Sequence, residues 1–249
     1  MKNINRLFVL SLLVGIGFIF SNCNNEPEVS NVSRITYFPD FKFEGSDFTL
    51  LPCNSDYTIP PVTAFENGIE IPVTTTVEGI LGPVPTIDLT KADNYIETSS
   101  AVNQDGYAGQ VVRNYWVACT GDLTSSIEGL YVSDVVRNAA VNPQYFGMKY
   151  VLIRKVGDNQ FEISDAIGGY YDIGRLYGPG YRATGVVITA NDIPGNSFTF
   201  SGPVGVGAFG GSVEIKSMEV DAAAKTIHFI SDWYTSGYVF DVTLTQVAL

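Results

Sequence analysis

Beyond its first two dozen residues the chain is patterned almost throughout in period two. "NYIETSSAV" (Asn94–Val102), "QVVRNYWV" (Gln110–Val117), "KTIHFISDW" (Lys225–Trp233) and "YVFDVTLTQV" (Tyr238–Val247) alternate apolar with polar positions or crowd β-branched and aromatic residues. Each is bounded by Gly, Pro, Asn or Asp, the residues that close strands. Such runs predict strands, and almost no helix. In the first half the strand candidates are "RITYFPDFKF", "IEIPVTTTVEG", "PTIDLT", "NYIETSSAV" and "GYAGQVVRNYWVAC". The turn "NQDG" (Asn103–Gly106) between the last two marks a hairpin, because Asp-Gly supplies the positive φ angles of a tight turn. In the second half eight or nine strands are expected, with "VGDNQ" and "DAAAK" as hairpin turns. The fold class is all-β. A β-sandwich over residues 34–120 is followed by a linker at 121–126 and a second antiparallel sandwich or small barrel over 127–249.

The first residues break this pattern. Lys2 and Arg6 precede an apolar run, Leu7–Phe20, which is shorter than the roughly 20 residues a spanning helix needs. That is the layout of a signal peptide, here 1–22. Ser21-Asn22-Cys23 then resembles the lipobox of bacterial lipoproteins, in which the cysteine is acylated and the leader removed just before it. The resemblance implies lipidation of Cys23, a tether at 23–33 and a soluble body held at a membrane surface. The run Asn-Asn-Glu-Pro-Glu after Cys23 resembles the acidic stretch that directs some of these lipoproteins outward, so an outer-membrane location facing the exterior is expected.

With Cys23 assigned to lipid, Cys53 and Cys119 remain, as a candidate disulfide in an oxidising envelope or as two buried thiols. Their spacing matches no metal site. The chain holds 14 Lys and Arg against 26 Asp and Glu, a formal charge of −12. It grows more negative when Lys2 and Arg6 leave with the leader. An acidic body excludes nucleic acid as the expected partner.

"NYIETSSAV", "NQDGYAG" and "QVVRNYWV" together resemble the closing hairpin of the bacterial Ig-like domain also found in pesticidal crystal proteins. There a tyrosine-bearing strand leads through an Asn-x-Asp-Gly turn into an arginine-containing last strand. "CNSDYTIPPVTAFENGIEI" resembles the same family's upstream segment, with "TIPPVTA" in place of its Asp-Pro-Gly. An Ig-like domain followed by a Gly- and Tyr-rich β domain resembles surface lipoproteins of Bacteroidetes that occur beside glycan-uptake systems. The resemblance implies oligo- or polysaccharide as ligand and outer-membrane glycan-uptake proteins as partners.

One segment invites a ligand directly. "SDAIGGYYDIGRLYGPGYRATG" (Ser164–Gly185) gathers four tyrosines and six glycines. Its glycines do not follow G-x-G-x-x-G, no Gly-Lys-Ser/Thr ends it and no helix follows, so it is not a phosphate cradle. Sugars present C–H faces that stack on aromatic rings, and planar polar side chains bind their hydroxyls. Tyr170, Tyr171, Tyr177 and Tyr181 supply rings, Asp165, Asp172 and Arg175 supply polar groups, and Trp233 and Tyr234 join them if their loop falls at the same end. As strand neighbours, Tyr170 and Tyr171 would face opposite ways. The competing reading packs these rings into the core.

Catalysis finds no footing. His228 is the single histidine, on a strand, and no Gly-x-Ser-x-Gly elbow is present. Acidic residues such as Asp232 are available for glycoside hydrolysis but carry no spacing signal, and no D-x-D-x-D-G loop suggests calcium. The expected function is a non-catalytic glycan-binding surface lipoprotein without metal or cofactor, or else a structural or adhesion module for a protein partner. Cys23→Ala should release the protein from membranes into the soluble fraction on cell fractionation, and persistent membrane association would overturn the anchor.

Overall fold

The computed structural model describes residues 35–249. The leader 1–22, Cys23 and the tether lie outside the described residues. The described chain is nearly all β, built of sheets that are antiparallel except at one strand pair and that include a curled half-barrel.

Eight strands form the N-terminal region: β1 (Asp40–Lys42), β2 (Phe48–Pro52), β3 (Thr63–Glu66), β4 (Ile69–Ile71), β5 (Thr74–Gly79), β6 (Gly82–Val84), β7 (Asp93–Val102) and β8 (Ala108–Ala118). They make a three-stranded sheet in the order β1-β3-β4 and a five-stranded sheet in the order β2-β8-β7-β5-β6, with β2 parallel to β8. The run "IEIPVTTTVEG" is divided between the two sheets as β4 and β5. Pro72 falls at the break, where it has no N–H to give a ladder. "PTIDLT" forms no strand; Asp88 instead accepts from the backbone and hydroxyl of Thr90, turning the chain. The "NQDG" segment is the turn between β7 and β8, with Gly106 at φ +85°.

Nine more strands follow: β9 (Gly129–Arg137), β10 (Met148–Gly157), β11 (Gln160–Ile163), β12 (Val186–Asp192), β13 (Ser197–Phe200), β14 (Val204–Val206), β15 (Gly210–Asp221), β16 (Thr226–Trp233) and β17 (Tyr238–Gln246). Their order is β13-β12-β11-β10-β9-β17-β16-β15-β14. Between β8 and β9 the chain is a tight turn. The Asp122 carboxylate accepts from the backbone of Thr124, Ser125 and Ser126, and the buried Leu123 points into the core.

The concave side of the curled sheet is lined by alternate residues such as Val151 and Ile153, Phe161 and Ile163, Ile227 and Phe229, and Phe240 and Val242. Its filling comes from a connection. Ala166, Ile167, Tyr170 and Tyr171, between β11 and β12, are buried in that concavity. Gly168 makes this plug fit. Its φ is +66°, and a Cβ there would sit 2.7 Å from Val242 and 2.8 Å from Val135, side chains of the sheet itself.

The convex side is not left to water. Even-numbered residues of β8 face it: Trp116 and Ala118 join Leu130, Tyr150 and Leu152 in a second core. Tyr150 meets Trp116 edge to face at 5.9 Å. Leu130, Tyr131, Val151, Leu152 and Ile153 are therefore all buried, since β9 and β10 are covered on both faces. Odd-numbered Tyr115 and Val117 pack the other way, with Leu51, Val77 and Tyr95. At the same junction Cys53 and Cys119 form a disulfide, Cα atoms 4.8 Å apart, just past the ends of the parallel pair β2 and β8. Pro39–Leu249 form one unit.

Two guanidinium groups fix the junction. Arg154 on β10 bonds Asp93 at the start of β7 and Glu162 across the ladder on β11, both at 3.1 Å. Asp93 in turn accepts from the N–H groups of Ile80 and Asn94. Arg182 bonds Asp172 at 2.5 Å and Asn94 at 3.3 Å, and lies 5.7 Å from the Trp116 ring. Burying large apolar side chains contributes roughly 1.5–3 kcal/mol each, so Trp116, Tyr150, Leu130 and Leu152 outweigh the ion pairs as the source of adhesion. The ion pairs set geometry, and losing a partner is costly because it strands a buried charge. Arg154→Met should lower stability by about 3–5 kcal/mol in chemical denaturation at neutral pH. Adding Asp93→Asn and Glu162→Gln should recover part of that loss; full additivity would show that the three groups do not act together.

Candidate functional site

The Ser164–Gly185 segment is organised by Asp165. This carboxylate is buried and accepts from the N–H groups of Ile167 (3.1 Å), Gly169 (3.1 Å) and Ala183 (3.0 Å). It thereby ties both ends of the plug to one point. Burial pushes its pKa up to about 6; the backbone donors of Ala183 and Ile167 and the Arg182 charge oppose the rise, and the nearby Asp172 charge adds to it. Asp165 is a fastening of the loop, with no face toward solvent.

Tyr170 and Tyr171 do not sit on a strand. They open a π-helical turn, Tyr170–Gly174, in which the N–H groups of Ile173 and Gly174 both donate to Gly169 O. The strand rule that separates neighbours fails there, and both rings enter the same core, 5.0 Å apart. Tyr170 stacks on Tyr145 at 4.1 Å and meets Phe240 at 5.3 Å, with Arg137 4.9 Å from its ring. Tyr171 meets Trp233 and Phe209, and its hydroxyl accepts from Arg137 at 3.3 Å. Tyr170, Tyr171 and Trp233 are buried, so none offers a face for stacking. Desolvation raises the pKa of both tyrosines. Asp172 is likewise buried and held by Arg182. Arg175 is exposed, but its guanidinium lies over Tyr145 and Tyr170.

What reaches the surface is the second half of the segment. Tyr177 is 48% exposed; its ring runs nearly parallel to the buried Tyr171, 16° between planes with centroids 6.1 Å apart, so one face rests on the core and the other is open. Tyr181, half-buried, stands 5.2 Å from it at 61°. The third ring is Phe209, 48% exposed, 4.9 Å from Tyr181 and 6.1 Å from Tyr177 at about the same inclination. Three rings inclined to one another make a faceted aromatic corner, with Leu176 exposed beside it. Phe209 lies in "VGVGAFGG", where a lone aromatic among glycines is the only hint. Gly207 brings it in: a Cβ there would lie 2.1 Å from Gly180 O, so only glycine lets the two loops meet.

Tyr234 takes no part in the corner. Trp233 points inward at the end of β16, and Tyr234 lies exposed in the turn that follows. His228 is on the outward side of β16 and hydrogen-bonds Asp241 across the ladder at 2.8 Å. Among the described residues no group of three or more His, Cys, Asp or Glu is placed to hold a metal ion.

Residues 120–246, just over half of the chain, match a family model described as "-like, C-terminal domain". Among solved structures the chain is similar to the lipoprotein BT2262 from Bacteroides thetaiotaomicron, at 25% identity and a TM-score of 0.61 over 84% of this chain and 100% of that one. No curated protein matches.

The raised pKa of Asp165 has a sign. Its folded value, about 6, lies above the ordinary aspartate value of 3.8, so the folded state binds the proton more tightly and stability falls as pH rises between the two. Relative to Asp165→Asn, the wild type should lose about 2–3 kcal/mol of stability between pH 4 and pH 7 in denaturant titrations. A pH-independent difference would show that the carboxyl titrates normally.

Proposed function

The chain belongs to the family whose C-terminal-domain model spans residues 120–246, and for this member we propose a non-catalytic, lipid-anchored protein of the outer-membrane surface that binds extracellular polysaccharide at its aromatic corner. The observation that carries the reading is Tyr177: a ring with its back on the core, its front in solvent and two further rings inclined around it. A sugar ring presents apolar C–H patches of that size, and rigid aromatic bodies bind them at little cost in side-chain entropy. The anchor is supported by the apolar leader before Cys23 and by the lipoprotein named in the structural relative, which spans both the N-terminal sheets and the curled sheet. In this reading the N-terminal Ig-like sheets lie between the anchor and the ligand-binding domain, and outer-membrane glycan-uptake proteins are the neighbours.

A protein partner is the second reading. Leu176 is 85% exposed, and Val141 and Phe146 are exposed on the adjoining turn, which Gln144 ties to Gly174 O at 2.8 Å. Aliphatic side chains suit a protein surface better than a sugar. A glycan array probed with the full-length protein in detergent should show binding, and Tyr177→Ala should weaken it at least about tenfold, or about 1.4 kcal/mol, with the melting temperature unchanged. An array with no positive would favour the protein partner.

A further inference from the structure

The turn that carries Tyr181 has a second side. Pro179, Gly180 and Arg182 form one wall of a cleft of about 220 Å³ whose opposite wall is Glu78, Ile80 and Asn94, from β5, the β5–β6 turn and β7. The corner and the cleft thus share the short helical turn Pro179–Tyr181. Ring stacking is available on one side of it and hydrogen-bonding groups on the other.

The chemistry of the cleft is specific. Arg182 is neutralised by Asp172, and its bonds to Asp172 and Asn94 use two of the five N–H groups of a guanidinium. Glu78 is exposed, with no ion-pair partner among the described residues. The Asn94 side chain is oriented by its bond to Asn114 at 2.6 Å. The site therefore holds a free carboxylate that accepts from hydroxyls, guanidinium N–H groups that donate to them, and a net negative charge. Hydroxyl-rich neutral sugars suit that set, whereas uronates and other acidic sugars meet like charge.

We infer, building on the polysaccharide reading above, that a neutral glycan chain stacks in the Tyr177–Tyr181–Phe209 corner, crosses Pro179–Gly180 and enters the cleft, where Glu78 binds a hydroxyl pair. The N-terminal sheet then contributes to recognition and does more than hold the curled sheet away from the membrane. Glu78 sets the preference for uncharged over acidic chains.

Affinity electrophoresis of the full-length protein in detergent tests this, with gels containing mixed-linkage β-glucan, galactomannan or dextran as neutral probes and polygalacturonate as the acidic one. The wild type should be retarded by at least one neutral polysaccharide and not by polygalacturonate. Glu78→Ala should weaken the neutral interaction about tenfold, the scale of one hydrogen bond to a charged group, and Glu78→Gln should fall between. Wild-type retardation of Glu78→Ala, with retardation lost in Tyr177→Ala, would leave the corner as a binding site and overturn the cleft. Retardation by polygalacturonate equal to that by a neutral gel would overturn the charge selection. No retardation by any neutral gel, or none lost in Tyr177→Ala, would remove the polysaccharide reading as well.

Discussion

The structure depends on covering β9 and β10 from both sides. A curled sheet closed on one face by its own plug still exposes a convex apolar strip, and here that strip is sealed by Trp116 and Ala118 of β8. Arg154 makes the seal specific. Glu162 holds it within its own sheet and Asp93 meets it from the other, so a slip of the five-stranded sheet on the nine-stranded one would leave the Asp93 carboxylate buried without its partner. The apolar contact supplies the adhesion and the guanidinium supplies the register. Both regions consequently share one core junction instead of meeting through a flexible linker, and Asp122 turns the segment between them into part of the packing.

The plug follows the same logic on a smaller scale. A connection that enters a sheet's concavity must find partners for its backbone groups, since no water follows it in. Asp165 supplies three acceptor contacts from one residue, and Ser231 adds its hydroxyl, donated to Ala166 O. The cost is a carboxylate without solvent, visible in its raised pKa. That fastening frees the outer half of the segment to be surface. The buried half, Tyr170 and Tyr171, becomes the base on which the exposed Tyr177 lies.

The strands were legible because period two survives wherever one face is buried, as in β7, β8, β16 and β17. The hairpin turns were legible because Asp-Gly and Asp-Ala carry their own conformational bias. The short strands β2, β3 and β14 were not, since three to five residues give too little pattern. The segment rich in tyrosine and glycine was visible as unusual, and its division into core and surface was not. A π-helical turn breaks the alternation from which direction is read, and burial of Tyr170 depends on Tyr145 and Phe240, residues 25 and more positions away in sequence. Phe209 was invisible for the same reason: its place in the corner rests on the contact of Gly207 with Gly180, a pairing that neither local sequence announces.

The Cys53–Cys119 bond has a mechanical consequence. It closes a loop with a sequence separation of 66 residues, which holds all of β3 to β8. Tension applied between the two chain ends runs along β1 and β2, crosses the sulfur bridge and continues into β9. The enclosed strands are off the load path. A pull on the curled sheet against a fixed N-terminus therefore bypasses β5 and β7, the strands that bear Glu78, Asp93 and Asn94, and reaches β9 through the covalent bond at the end of β2. The cleft wall formed by Glu78 and Asn94 stays unstrained while the molecule carries force.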